Sequence, residues 1–247
     1  MSEIRINKYL SEAGFCSRRE ADKRVDRGEV FIDGVMAENG SKVREGQVVT
    51  VGGKEILMGE QEPVLIAFHK PKGIVCTAEK REKDNIIDFI NYPTRIYPVG
   101  RLDKDSTGLI LLTNQGDIVN KMMRSGNAHE KEYIVTLNKD VTADFMEGMS
   151  SGVPILDTVT RKCKVEKVGK RKIRIILTQG LNRQIRRMCE YFDYRVVALK
   201  RVRIMNISLG DLKEGTYRDV TPKEYEELLR RIKDSSNAPI RYKGEGK

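Results

Sequence analysis

Residues 99–116, VGRLDKDSTGLILLTNQG, decide the reading of this chain. Lys104, Asp105, Ser106 and Thr107 lead through Gly108 into the apolar run Leu109–Leu112, which Thr113-Asn114 closes. So short an apolar run between turn formers predicts a buried strand fed by a loop. Asp103 then stands at the mouth of a core element, where a scaffold holds it rigidly. Arg101, two residues earlier, falls on the same face of an extended backbone and is expected to be its partner. A carboxylate kept charged by a guanidinium in a half-buried loop serves as nucleophile or base. The plain alternative is a turn aspartate with a structural salt bridge, and local spacing alone favours that alternative.

The remainder of the chain shifts the balance. Its 247 residues suffice for one large domain or two unequal ones. The formal net charge of +10 is unevenly spread. Residues 1–60 carry ten Lys/Arg against eleven Asp/Glu, whereas residues 161–203 carry fifteen against three. A stretch so basic points to RNA or DNA as partner. Cys16, Cys76, Cys163 and Cys189 form no Cys-x-x-Cys pattern, which argues against zinc and for reduced thiols. His69 and His129 stand alone, which argues against a histidine metal site or a Ser-His-Asp triad. No apolar run approaches a membrane span and no signal-peptide core opens the chain, so a cytoplasmic protein without membrane contact is expected, with a monomer as the default.

In chain order, Ile4, Ile6, Tyr9, Leu10 and Ala13 repeat as on a short helix stopped by Gly14. Ser17-Arg18-Arg19-Glu20 has the spacing of a capping box opening a second helix. Val30–Ile32, Asp33-Gly34 and Val35 predict a hairpin, and Val48–Val51 another strand. Residues 54–63 are mostly polar and read as a linker. Val64–Phe68 predicts a strand, His69–Gly73 a loop, and Asp84–Ile90 a short helix. Asp117–Met123 predicts a helix with Ile118, Met122 and Met123 inward. Glu132–Leu137 predicts a strand, Thr142–Met149 a helix, and 160–177 basic β structure. Asn182–Tyr191 predicts a helix whose first turns carry Arg183, Arg186 and Arg187. Residues 195–209 read as strand, Thr221–Glu224 caps a final helix, and 234–247 has the composition of a mobile tail.

The run RINKYLSEAGFCSRREADKRVDRGEVFIDG resembles the S4 RNA-binding domain, which implies RNA contacts by Arg18, Arg19 and Lys23. Behind it come VGRLDKDSTGL with Asp103, then Lys131-Glu132-Tyr133, then Gly180-Leu-Asn-Arg-Gln-Ile-Arg-Arg187. This ordered set resembles the RsuA/RluB/RluE/RluF family of pseudouridine synthases, nearest its RluF type. The resemblance implies an α+β architecture. Residues 1–53 would form a small S4-like α/β module and 54–63 a linker. Residues 64–233 would form a catalytic domain with a mixed, largely antiparallel sheet and flanking helices, and 234–247 a flexible tail.

By the same resemblance Asp103 is catalytic and Tyr133 stacks on the target uracil. Arg101, Leu102, Lys104, Arg183, Gln184, Ile185 and Arg186 then hold RNA. No metal or organic cofactor is implied. The expected substrate is a uridine of large-subunit ribosomal RNA, with a tRNA anticodon-loop uridine as second target. The residue types suit that reaction, since an ionised carboxylate starts glycosidic cleavage and an aromatic face retains the detached base. Two other classes match parts of the sequence. A non-catalytic S4-type ribosome assembly factor would need no Asp103 chemistry. A glycosidase using Asp103 with Asp105 lacks a second carboxyl with a raised pKa.

Overall fold

The computed structural model describes residues 3–59, 62–123 and 127–235. The chain divides into two compact units, Met1–Pro63 with Pro93–Arg95, and Val64–Tyr92 with Ile96–Lys247.

In the first unit, β1 (Ile4–Arg5) leads into α1 (Ile6–Glu12), and α2 (Arg18–Asp26) follows. Ser17 caps α2 by accepting from the Glu20 N–H at 3.1 Å. The reciprocal half of the expected capping box is absent, because the Glu20 carboxylate turns to Arg24 and Arg27. Strands β2 (Val30–Ile32) and β3 (Val35–Met36) form the hairpin. Asp33 and Gly34 both take positive φ, 49° and 78°, the geometry that a two-residue hairpin loop needs. β4 (Lys42–Val43) pairs with β1, and β5 (Val49–Val51) joins β2 to β6 (Lys54–Glu55). Ile6, Leu10, Ala21, Val25, Val30 and Val49 fill the core between helices and sheet. The stretch 54–63, expected as a linker, thus begins as a strand. Tyr9 also donates to the Ile56 carbonyl at 2.9 Å. Main-chain pairing is indifferent to side-chain polarity, so the sheet runs past residue 53.

The second unit is built on a nine-stranded sheet. It begins with β7 (Leu65–Lys70), α3 (Ile86–Ile90), β8 (Tyr97–Pro98), β9 (Thr107–Thr113) and α4 (Gly116–Met123). β10 (Lys131–Leu137) and α5 (Ala143–Ser151) follow, then the small hairpin of β11 (Pro154–Ile155) and β12 (Thr158–Val159). β13 (Lys164–Gly169), β14 (Lys172–Leu177), α6 (Gln184–Tyr191), β15 (Val196–Ile204), β16 (Ile207–Ser208), β17 (Tyr217–Asp219) and α7 (Pro222–Ile232) complete it. The spatial order is β13-β14-β10-β15-β9-β7-β17, with β16 on β15 and β8 on β9. Every pairing is antiparallel except β9 with β15.

Alternation along β7 and β9 explains the layers. Ile66, Phe68, Ile110 and Leu112 face one core with α3, α5 and α6. Leu65, Ala67, Leu109 and Leu111 face the other with α4 and α7. A strand covered on both faces must be apolar at every position, as Leu109–Leu112 is. Each such side chain contributes about 1.5–3 kcal/mol on burial.

Two further expectations need correction. His69 and Lys70 belong to β7 and are buried, not looped. The Lys70 ammonium is tolerated there because it donates to the Pro71 carbonyl at 2.7 Å and lies 3.4 Å from that of Lys104. Met123 is 42% exposed, not inward. Residues 236–247 of the expected tail lie outside the described residues, while Ser235 Oγ meets His129 Nε2 at 3.0 Å.

Candidate active site

Asp103 follows β8 and precedes β9, at the end of the central strand pair. The Ser106 N–H donates to the Asp103 carbonyl at 3.0 Å, closing a turn just before β9. The Leu102 N–H donates to the buried Cys76 Sγ at 3.3 Å, which fixes the residue ahead of Asp103. Burial pushes the Cys76 thiol above its usual range, so it remains a neutral acceptor there. Gly108, opening β9, is required by the fold. Its φ is +109°, and an added Cβ would stand 2.2 Å from the Arg201 carbonyl oxygen. The parallel pairing of β9 and β15 rests on that close approach.

The carboxylate's partners come from far along the chain. Arg183 Nη1 and Arg186 Nε stand 3.7 and 3.6 Å from Asp103 Oδ2. Arg183 is the N-cap of α6, in left-handed conformation, and so precedes the helix it was expected to open. Arg186 lies one turn in, with Nη2 donating to Ser106 Oγ at 3.3 Å. Arg101, the expected partner, is exposed and makes no ion pair among the described residues. Gly100, just ahead of Arg101, takes a φ of +82°.

These residues line a cavity of about 580 Å³. Tyr133, on β10, presents its ring there while only 9% exposed. Asp103 is the cavity's only carboxylate among the described residues, against six cations: Arg101, Lys104, Lys131, Arg183, Arg186 and Arg201. Leu102, Gln184 and Ile185 line it as well. The Gln184 amide is turned inward, accepting from the Leu181 N–H at 3.0 Å. Lys104 lines the rim and pairs with Asp84 at 3.2 Å.

In the first unit, Arg18, Arg19 and Lys23 are exposed on α2, and Arg18 donates to Asn7 Oδ1 at 3.1 Å. Arg19 and Lys23, one turn apart, make no ion pair among the described residues, whereas Arg24 and Arg27 are held by Glu20 and Glu29. No group of three or more His, Cys, Asp or Glu that would hold a metal occurs among the described residues. Nor is any described helix long and apolar enough to cross a membrane.

Two residues of the cavity escaped the sequence reading as site residues, Lys131 and Arg201. Lys131 had a signal, since it is two residues from Tyr133 on one strand and therefore shares its face. Arg201 had none. Its place depends on β15 being inserted between β9 and β10.

The second unit thus gathers six cations, one carboxylate and Tyr133 around one cavity. Residues 64–191 match the RNA pseudouridylate synthase family, and residues 4–49 match the S4 domain. The dual-specificity RNA pseudouridine synthase RluF of Escherichia coli (strain K12) is 56% identical over 237 residues, covering 96% of this chain and 82% of the relative. Ribosomal large subunit pseudouridine synthase B of Bacillus subtilis (strain 168) is 32% identical over 243 residues, covering 95% and 99%. A solved structure described as a pseudouridylate synthase superposes with a TM-score of 0.67 at 27% identity, covering 91% and 99%.

The chain belongs to the RNA pseudouridylate synthase family, in its S4-bearing RsuA/RluB group, and is a pseudouridine synthase. That membership selects the isomerase over the assembly-factor and glycosidase readings.

Proposed function

We propose that Asp103 attacks or deprotonates the target nucleotide while Tyr133 stacks on its base. The substrate in this reading is a specific uridine of 23S ribosomal RNA, with a tRNA anticodon-loop uridine as second target, in the cytoplasm. The observation that carries it is the lone carboxylate of Asp103 in the same cavity as the Tyr133 ring. Isomerisation breaks the bond from ribose C1′ to uracil N1 and remakes it to C5, with no net gain or loss of atoms. It needs one ionised carboxylate, a dry platform on which the base turns, and cations for the backbone. Extruding the nucleotide costs a few kcal/mol, which contacts from Arg183 and Arg186 offset. Arg18, Arg19 and Lys23 of the S4 unit bind flanking RNA. One relative is a dual-specificity RNA pseudouridine synthase and another a ribosomal large subunit pseudouridine synthase, which supports this reading.

The test is a pseudouridine map of total RNA by carbodiimide-dependent reverse-transcription stops. It compares a deletion strain with the same strain carrying wild type or Asp103→Asn. One or two stops should vanish on deletion and return only with wild type. Unchanged stops, or full restoration by the Asn variant, would overturn the reading.

A further inference from the structure

Lys131 and Arg201 are cations in a cavity that offers them no carboxylate. Arg201 is 2% exposed, and its Nε donates to the Leu109 carbonyl at 2.7 Å. Its Nη2 is buried with no hydrogen-bond partner. Among the described residues, the half-buried Lys131 ammonium has one polar contact, 3.4 Å to the His129 carbonyl. Asp103, the one acid lining the cavity, stands instead with Arg183 and Arg186. Among the described residues, one buried and one half-buried cation thus stand without a counter-charge, a costly arrangement unless a ligand brings one.

Both flank Tyr133. Lys131 lies two residues away on β10, about 7 Å along the strand, and Arg201 is the direct cross-strand partner of Tyr133. Burial, with Arg201 adding to it, drives the Lys131 pKa down to about 8. Both effects disfavour the lone charge, which an anionic ligand would relieve.

The reaction supplies such a charge. When C1′–N1 breaks, the electron pair leaves with N1, and the uracil becomes an anion delocalised over N1, O2 and O4. The pair at C5 then closes on C1′, the C5 proton departs, and N1 takes a proton, so the balance is that of an isomerisation. An attack by Asp103 on the base instead of the sugar also loads negative charge on the ring. We propose that Lys131 and Arg201 are the electrostatic cradle for this transient uracil anion, with Lys131 a catalytic residue that stabilises it without exchanging a proton. The inference rests on the placement of the base against Tyr133 argued above. Preorganised cations facing developing charge in a water-poor site typically contribute 10²–10³-fold in rate.

The experiment compares wild type, Lys131→Met and Lys131→Arg on two RNAs, one with uridine and one with 5-fluorouridine at the target. Single-turnover loss of the N-linked target nucleoside is read after nuclease digestion. Fluorine withdraws electrons and stabilises the departing anion unaided. Lys131→Met should therefore slow the uridine RNA by about 10²-fold and the fluorinated RNA by less than about 10-fold, with Lys131→Arg recovering most of the rate. An equal loss on both RNAs would overturn the proposal. So would a loss confined to RNA affinity, with a salt dependence shallower by about one ion, the signature of a phosphate contact. The methionine variant removes an unpaired buried charge and should fold, which a thermal melt verifies. Asp103→Asn is run in parallel. Its activity would sink the underlying site assignment, whereas the Lys131 result alone decides the cradle.

Discussion

The Nε of Arg186 stands 3.6 Å from Asp103 Oδ2, buried and without a hydrogen bond of its own. The contact is an ion pair held slightly open, with the guanidinium anchored through Nη2 on Ser106 Oγ. Arg186 thus positions the carboxylate. Arg186→Met should lower the single-turnover rate by about 10²-fold, and Arg186→Lys by about 10-fold, because lysine keeps the charge and loses the planar fork. Rapid-quench measurement at saturating enzyme separates this from weakened RNA binding.

Gly108→Ala should be severely destabilising. The new methyl carbon would stand 2.2 Å from the Arg201 carbonyl oxygen and 2.5 Å from its nitrogen, at a φ of +109°. Neither backbone can yield without parting β9 from β15. A loss of about 3 kcal/mol or more is expected in urea denaturation. A variant that unfolds at the wild-type midpoint would contradict the close approach.

Lys131 links stability to pH. The folded chain holds its pKa near 8, against about 10.4 when unfolded. Between those values the unfolded chain binds the additional proton, so this lysine's contribution becomes more favourable as pH rises through the window. Lys131→Met should therefore be more stable than wild type below pH 8, by about 1–3 kcal/mol after allowance for partial exposure. The difference should shrink towards pH 10. Paired urea titrations at pH 7 and pH 10 measure it.

Thr221→Ala tests the last helix. Thr221 accepts from the Glu224 N–H at 3.3 Å and Glu224 returns to the Thr221 N–H at 2.9 Å, a complete capping box. Arg218 also grips that glutamate, whose carboxyl it holds below the usual range. Loss of the hydroxyl should cost about 1 kcal/mol, read as a lowered melting temperature with unchanged activity.

Much of the fold was legible because local chemistry and global fold agree. Leu109–Leu112 had to be a strand, and Asp33-Gly34 and Thr221–Glu224 carried their turn and cap signals on the surface of the sequence. His69-Lys70 misled because a lysine before a proline reads as loop, and only carbonyls folded around its ammonium make burial tolerable. The partner of Asp103 misled for a related reason. Spacing suggested Arg101, but ion pairs form where tertiary structure delivers the charge, and α6 delivers Arg183 and Arg186. Arg201 was invisible because its importance is topological.

That topology has a consequence for synthesis. β15 lies between β9 and β10 although it is made after both. While the chain is growing, β9 and β10 therefore each keep one edge open, and the cavity lacks Arg183, Arg186 and Arg201 together. An unfinished chain carries Asp103 and Tyr133 with nothing to join them. The cavity is therefore completed late in synthesis, once α6 and β15 are in place.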